Sequence, residues 1–332
     1  MTKHALAAGD VPCLAIGAAS VCALARSSWL ARAGLVLVLL LHGAGCASLL
    51  TGTSVQVADV PYFPQTDLQC GPAALASLLA KADMSQPVST LSSWMFTPAL
   101  GGTLQQDVLG AARRAGVVPV RIAGNLRALQ AQLALGRPVL VLQNLGLRRW
   151  PQWHYAVVTA LNVQADTVTV GGPAGTADAV RARAFVLAWA NADYWALVVL
   201  RPSEQPSGLL SGEYMQSIAA LESIGQLDAA ARGYALGITE WPLDMALVVG
   251  AGNVELALGH LDAAAALFER VVAADVSNVA ALNNLAEVRR RQGRFGEATT
   301  LAQRALTFAS AGALRAAVLD TLAQIAASDS AD

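Results

Sequence analysis

The chain has few charged residues, and after residue 50 it has no apolar run long enough to cross a bilayer. Its formal net charge is −1 and only 14% of its residues are charged, so we expect no nucleic-acid-binding surface. A spanning helix needs roughly 18 to 20 apolar residues. The hydrophobic fraction of 55% therefore indicates alanine-rich helix packing together with an apolar N-terminus.

Cysteine, lysine and histidine are also scarce. Three of the four cysteines lie within the first 46 residues, which leaves Cys70 alone downstream and excludes a disulfide framework. The only lysines are Lys3 and Lys81, and no GxxxxGK[ST] phosphate loop is present, which excludes a P-loop ATPase. Beyond residue 46 the only histidines are His154 and His260. We expect no cofactor and no metal.

The first 46 residues are typical of an export segment. Arg26 and Arg32 precede an apolar core at residues 34–41, and three small residues come directly before Cys46. This end resembles the lipobox of bacterial lipoproteins, although the first small residue stands where that family prefers leucine. The resemblance implies that the Cys46 thiol carries a diacylglycerol, which would tether the chain to the periplasmic face of the outer membrane. The alternative is an ordinary signal peptide that is cleaved nearby.

Residues 57–201 show a mixed pattern of helices and strands. Residues 57–63 read as a strand, and residues 71–81 and 104–115 read as helices. Later strands include a hairpin around a turn at residues 162–166. Helices early and antiparallel strands late predict an α+β domain. The polar, proline-bearing residues 202–210 are predicted to be a linker between separate cores.

A repeat of fixed length follows the linker. Two sets of small residues recur every 34 residues, which is the helix-turn-helix period of tetratricopeptide repeats. A glycine would end the first helix of each repeat, and an alanine would let the second helix approach its neighbours closely. The pattern predicts an all-α repeat array at residues 211–328, an architecture that binds protein partners. The sets are Gly225, Gly259 and Gly293, and Ala230, Ala264 and Ala298.

Cys70 and His154 are the candidate catalytic pair. A nucleophilic thiol works best at a helix N-terminus with a histidine nearby, and Cys70 precedes a helical segment that opens with Gly71 and Pro72. His154 begins an apolar strand, which is a rigid mount for a base. His260 lies in a repeat turn, where we expect a solvent-exposed role. The alternative for Cys70 is a buried structural thiol.

Two stretches closely resemble the cysteine peptidase domains that trim double-glycine leaders in bacteriocin export. They are VPYFPQTDLQCGPAA, at residues 60–74, and HYAVV, at residues 154–158. The resemblance implies a papain-like fold with Cys70 as nucleophile, His154 as base and acid, and Gln65 as donor to the oxyanion. One such donor typically contributes about 3 kcal/mol of transition-state stabilisation.

This sequence departs from that family at two places in the site. Gln65 lies five residues before the cysteine rather than six, which leaves Gln69 as a rival donor. Gly172 stands where the family has the aspartate that orients the histidine. Thr176, Asp178 or a main-chain carbonyl would have to take over that role.

The sequence thus predicts a thiol peptidase in the periplasm that cleaves peptide or protein substrates. The repeats would recruit a substrate or a protein partner, and the lipid on Cys46 would provide the membrane attachment. One alternative is a catalytically silent peptide-binding module, and another is an acyl transferase or amidase on the same fold. Trp150 and Trp153 are candidates for one wall of a substrate pocket. The role of that family in removing leaders during export is not carried over to this chain, because the sequence has no phosphate loop of an exporter ATPase.

Overall fold

The computed structural model describes residues 49–65, 69–97 and 102–330. The predicted export segment and Cys46 lie outside the described residues, as does part of the loop between Gln65 and Cys70. Within the described ranges, no helix is both long and apolar enough to cross a membrane.

An antiparallel sheet forms the centre of the first domain. Its strand order is β2-β7-β3-β4-β5-β6, and the short β1 pairs with the end of β4. The predicted hairpin is confirmed as β4 and β5. The strands are β1 Val55–Gln56, β2 Val118–Arg121, β3 Val139–Asn144, β4 Trp153–Asn162, β5 Thr167–Gly171, β6 Ala177–Arg181 and β7 Ala196–Leu200.

Helices cover both faces of this sheet. Side chains alternate along a strand, and in β4 Tyr155 and Val157 join the core beneath α1, α2 and α3. Ala156 and Val158 join the core beneath α4 and α5. The domain is therefore an α+β unit of three layers. Its helices are α1 Cys70–Lys81, α2 Val88–Met95, α3 Gln105–Arg114, α4 Leu126–Ala134 and α5 Ala182–Ala190.

The second region is the predicted helical array. In each repeat the glycine lies between two helices at positive φ, from +72° to +79°, a conformation that favours glycine. Ala230, Ala264 and Ala298 are all 0% exposed, which confirms the close helix packing. The helices are α6 Ser211–Ser223, α7 Leu227–Glu240, α8 Met245–Leu258, α9 Leu261–Ala274, α10 Val279–Arg291, α11 Phe295–Phe308 and α12 Ala313–Asp329.

The two regions share one apolar core, which differs from the expectation of separate cores. Tyr214 and Ile218 of α6 belong to the same buried cluster as Val120 of the sheet. The Ser217 hydroxyl donates to the main-chain carbonyl of Pro119 at 2.7 Å. The first helix of the array thus closes one face of the sheet domain.

The segment at residues 202–210 is held in place rather than acting as a free tether. Arg137, which is 8% exposed, forms an ion pair with Glu204 at 2.6 Å. The same guanidinium donates to the carbonyls of Gln205 and Ser207. The polar composition alone suggested a flexible linker. Its binding partner, Arg137, lies far away in the sequence, so no local pattern indicates that the segment is held.

Candidate active site

Cys70 is the first residue of α1. Gln69 is the N-cap residue, and its side chain makes no capping hydrogen bond. The first N–H groups of a helix have no partner inside it, and the positive end of the helix dipole lies there. The Cys70 thiol is free and half-buried. A nucleophile at this position can use the helix N-terminus to stabilise negative charge that develops on substrate.

Tyr155 and Thr103 lie near the start of α1. Cys70 packs against the buried cluster that contains Tyr155. Burial raises the pKa of Tyr155, and the charge of Cys70 raises it further. The protonated phenol donates to the main-chain carbonyl of Thr103 at 3.4 Å. A Cβ atom at Gly71 would lie 3.1 Å from the Thr103 side chain, so only a small residue fits beside Cys70.

His154 is the second residue of β4 and pairs with Gln143 of β3. Its side chain is half-buried, and burial lowers its pKa. The imidazole is therefore neutral at neutral pH and is able to accept a proton. Among the described residues, no side chain forms a hydrogen bond with it.

Cys70 and His154 flank Tyr155 at the same end of β4. Tyr155, the residue that follows His154 in β4, faces α1 and belongs to the cluster against which Cys70 packs. The structure brings both residues to one end of the sheet but shows no hydrogen bond between the sulfur and the imidazole. Catalytic hydrogen bonds of this kind are often long in unliganded sites and tighten only with substrate.

Gln65 is fixed over the turn between β5 and β6. Its main-chain N–H donates to the carbonyl of Pro173 at 2.8 Å. Upstream, the Tyr62 hydroxyl lies 2.6 Å from Thr159 Oγ1, and its ring covers Gly171. The strand predicted at residues 57–63 is wrong, because this segment instead crosses over β4 and β5. The crossing carries Gln65 towards the His154 end of the sheet.

Gln69 remains a second source of an amide near the thiol. It directly precedes Cys70, and both Gln65 and Gln69 are half-buried. In the described part of the chain, neither side-chain amide forms a hydrogen bond. The structure therefore leaves both amides available as oxyanion donors.

Asp178 fills the space above Gly172. A Cβ atom at Gly172 would overlap the Asp178 carboxylate, and the Thr176 hydroxyl donates to Asp178 Oδ1 at 3.2 Å. Val158 pairs with Val170, and continuing that register would bring residues 172–174 opposite residues 154–156. The carboxylate thus occupies the position that a side chain at residue 172 would have entered, although no hydrogen bond joins it to the imidazole.

Sequence reasoning missed the contacts that assemble this region. Neither the Tyr155–Thr103 hydrogen bond nor the crossing of Tyr62 over β5 has a local signature. The strand β6, which carries Asp178, was also missed because its residues Ala177–Arg181 alternate little and are mostly exposed. The one available signal was Gly172, because a glycine beside a proline allows another side chain to approach closely.

Comparison with known proteins assigns the first region. Residues 57–197 match the Peptidase_C39 like family. The sheet domain is C39-like. No curated protein matches the chain significantly. A proposed C39-like peptidase from Bacillus anthracis is 16% identical with a TM-score of 0.39, and the similarity covers 45% of this chain and 98% of that one.

Solved tetratricopeptide structures are similar to the helical array. The first such domain of Spaghetti (RPAP3), bound to the HSP90 peptide SRMEEVD, is 17% identical with a TM-score of 0.33, and covers 35% of this chain and 90% of that one. The MamA protein is 19% identical with a TM-score of 0.32, and the similarity covers 36% of this chain but only 63% of MamA. The family match at residues 57–197 and the 34-residue period beyond them describe the chain as a C39-like domain followed by an array of helical repeats.

Proposed function

We propose that the C39-like domain is a thiol peptidase with Cys70 as nucleophile and His154 as base. The observation that carries the proposal is the position of Cys70 at the start of α1, packed against the buried cluster that contains Tyr155, the residue after His154. The family match at residues 57–197 supports the same assignment. The lowered pKa of His154 also supports it, because a neutral imidazole can accept the thiol proton.

The proposed reaction has two steps. His154 takes the Cys70 proton while the sulfur attacks the carbonyl carbon of the peptide bond. The N–H groups at the start of α1 and the amide of Gln65 or Gln69 stabilise the oxyanion. His154 then protonates the leaving amine, which gives a thioester. Water, deprotonated by His154, attacks the thioester and releases the acid and the free thiol.

The Cys70 sulfur and the His154 imidazole must come together for this chemistry to occur. Nucleophile and base react at about 3 Å separation, so the imidazole has to turn towards the thiol when substrate binds. Asp178 is the best-placed group to hold it there, because its carboxylate fills the space above Gly172. Thr176 supports that carboxylate through its hydroxyl.

A catalytically silent peptide-binding module is the second candidate. Two observations favour it: the sulfur and the imidazole are not hydrogen-bonded, and the family aspartate is replaced by Gly172. The presence of Cys70, His154 and two free amides in one region favours the peptidase.

Export and partner binding complete the proposal. We infer from the sequence of the first 46 residues that the chain is exported and lipidated on Cys46, which would place the peptidase at the outer membrane on its periplasmic face. We propose that the helical array recruits a protein substrate or a scaffold partner. The related Spaghetti structure, which holds a peptide, is consistent with this role.

Cleavage profiling tests the proposed function. The full chain is incubated with a peptide library made by digesting a bacterial proteome, and new termini are identified by mass spectrometry. We expect the wild type to generate new termini, and Cys70→Ser and His154→Ala to generate none above the background. Ser77→Ala, a change at a buried hydroxyl farther along α1, is the control for folding and should keep the activity. Equal profiles for the wild type and Cys70→Ser would reject the peptidase and favour the binding module.

A further inference from the structure

The connection between β3 and β4 ends in an unusually apolar tip. We call residues 145–153 the hairpin tip. Its four large apolar side chains are mostly in solvent: Leu145 is 57% exposed, Leu147 67%, Trp150 68% and Trp153 56%. Single exposed apolar residues are normal, whereas a contiguous group of them marks an interaction site.

The hairpin tip is built rigidly. The buried Asn144 accepts hydrogen bonds through Oδ1 from the N–H groups of Gly146 at 3.0 Å and Gln152 at 2.9 Å. Leu145 N–H donates to the carbonyl of Gln152 at 2.9 Å. A Cβ atom at Gly146 would overlap the main-chain carbonyl of Trp150. A surface fixed in this way loses little conformational entropy when it binds a ligand.

The charge of the hairpin tip is of one sign. Arg148 and Arg149 are exposed, and within the described residues neither forms an ion pair. The Arg149 guanidinium lies over the Trp150 ring, 5.6 Å from its centroid. The chain contains no acidic residue between Asp107 and Asp166. The hairpin tip therefore presents apolar surface with unpaired positive charge, which is complementary to apolar side chains flanked by carboxylates.

The position of the hairpin tip connects it to the catalytic site. Its last residue, Trp153, directly precedes His154 in β4 and pairs with Asn144 of β3. The hairpin tip therefore ends one residue before His154, a rise of about 3.3 Å along the strand. Because the hairpin tip continues directly into the strand that carries His154, a segment of the substrate is a better candidate for its ligand than an unrelated partner protein.

We propose that the hairpin tip is the substrate-docking surface of the peptidase, and that it selects peptide segments with large apolar side chains flanked by aspartate or glutamate. The inference rests on the proposed function, because it names the substrate class of that site. Trp150 and Leu147 contact the apolar side chains, and Arg148 and Arg149 contact the carboxylates.

Binding to two synthetic peptides tests this proposal without requiring cleavage. Both peptides carry a fluorescent label and have equal length and equal leucine and phenylalanine content. One has glutamates at the remaining positions, and the other has lysines. Fluorescence anisotropy with full-length Cys70→Ser should show about tenfold tighter binding of the glutamate peptide.

Two sets of variants in the Cys70→Ser background locate the binding surface. Arg148→Glu with Arg149→Glu should reverse the preference, and Leu147→Ser with Trp150→Ser should weaken both peptides about tenfold. The matched controls, Arg232→Glu and Leu243→Ser, change exposed residues of the array and should leave both affinities unchanged.

Three outcomes would overturn the docking surface. The first is equal affinity for the two peptides, and the second is affinity unaffected by the tip variants. The third is that the tip variants lose binding to phosphatidylglycerol vesicles while their peptide binding is unchanged, since the tip would then contact lipid. The proposed function fails separately: tip-dependent peptide binding without any cleavage by the wild type would reject the peptidase and retain the docking surface.

Discussion

The helical array and the C39-like domain differ in the distance along the chain over which their defining contacts form. In the array, each repeat packs against the next, so a glycine and an alanine every 34 residues specify the helix boundaries and the close packing. In the C39-like domain, Cys70 packs against the cluster that contains Tyr155, and Gln65 binds Pro173, so the segments that meet are about a hundred residues apart. A repeating sequence pattern therefore specifies architecture, whereas the candidate site depends on how distant segments cross.

The shared core gives this comparison its strongest test. Ala230 lies in the cluster that also contains the sheet, whereas Ala298 lies in a cluster of the distal helices. Arginine at either position should lower the free energy of unfolding by about 3 kcal/mol or more, because it overpacks the core and buries an unpaired charge. We expect Ala230→Arg to unfold the sheet domain together with the array, and Ala298→Arg to unfold the distal helices alone.

Hydrogen exchange measured by mass spectrometry separates these outcomes, because it reports protection segment by segment. Thr300→Arg, on an exposed position of the same helix as Ala298, is the control and should retain full protection. If Ala230→Arg leaves β2 and β7 fully protected, the two regions are independent after all.

The oxyanion donor should produce the next largest effect. Replacing the donating glutamine by alanine should lower kcat about a hundredfold, while alkylation of Cys70 by iodoacetamide stays near the wild-type rate, since that reaction has no oxyanion. Gln65→Ala and Gln69→Ala, measured side by side, identify the donor. A wild-type kcat in both variants would leave the helix N-terminus as the sole stabiliser.

Asp178 should have a smaller effect, because it is proposed as a positioning residue. Asp178→Asn should lower kcat about tenfold and shift the acidic limb of the pH–rate profile to lower pH, because a carboxylate near the imidazole favours its protonated form. Asp178→Glu should restore part of the rate. The exposed acid Asp193 supplies the control variant Asp193→Asn. A purely structural role would change stability and leave the pH profile in place.

The smallest expected effect is the pH dependence of stability through His154. Burial lowers the pKa of this imidazole in the folded protein, so below about pH 6.5 the unfolded chain takes up a proton that the folded chain resists. The free energy of unfolding should therefore fall as the pH decreases from 7 towards 5. Measured by urea denaturation, the free energy of unfolding of His154→Gln should decrease less over that range than that of the wild type. The exposed His260 is present in both proteins and does not contribute to the difference. A parallel decrease in the two proteins would mean that His154 is not buried as described.

Local patterns predicted much of the architecture. The array, the hairpin of β4 and β5, and the helix that begins at Cys70 were all predicted, because period and turn residues specify them locally. The sequence also indicated the candidate site residues, namely Cys70, His154 and the two glutamines. It could not predict the shared core, because Ser217 and Arg137 become buried only against partners far along the chain. The place of Asp178 above Gly172 depends on a turn and a strand that carry no clear pattern.

Selective labelling of Cys70 tests the central claim most directly. The full chain is exposed to iodoacetamide and, separately, to a peptide with a carboxyl-terminal chloromethyl ketone, and the modified residue is identified by mass spectrometry. We predict that the peptide reagent modifies Cys70 at neutral pH much faster than it modifies free cysteine, and that His154→Ala slows this reaction at least tenfold. Modification of Cys70 at the rate of free cysteine, unaffected by His154→Ala, would contradict a working Cys70–His154 pair.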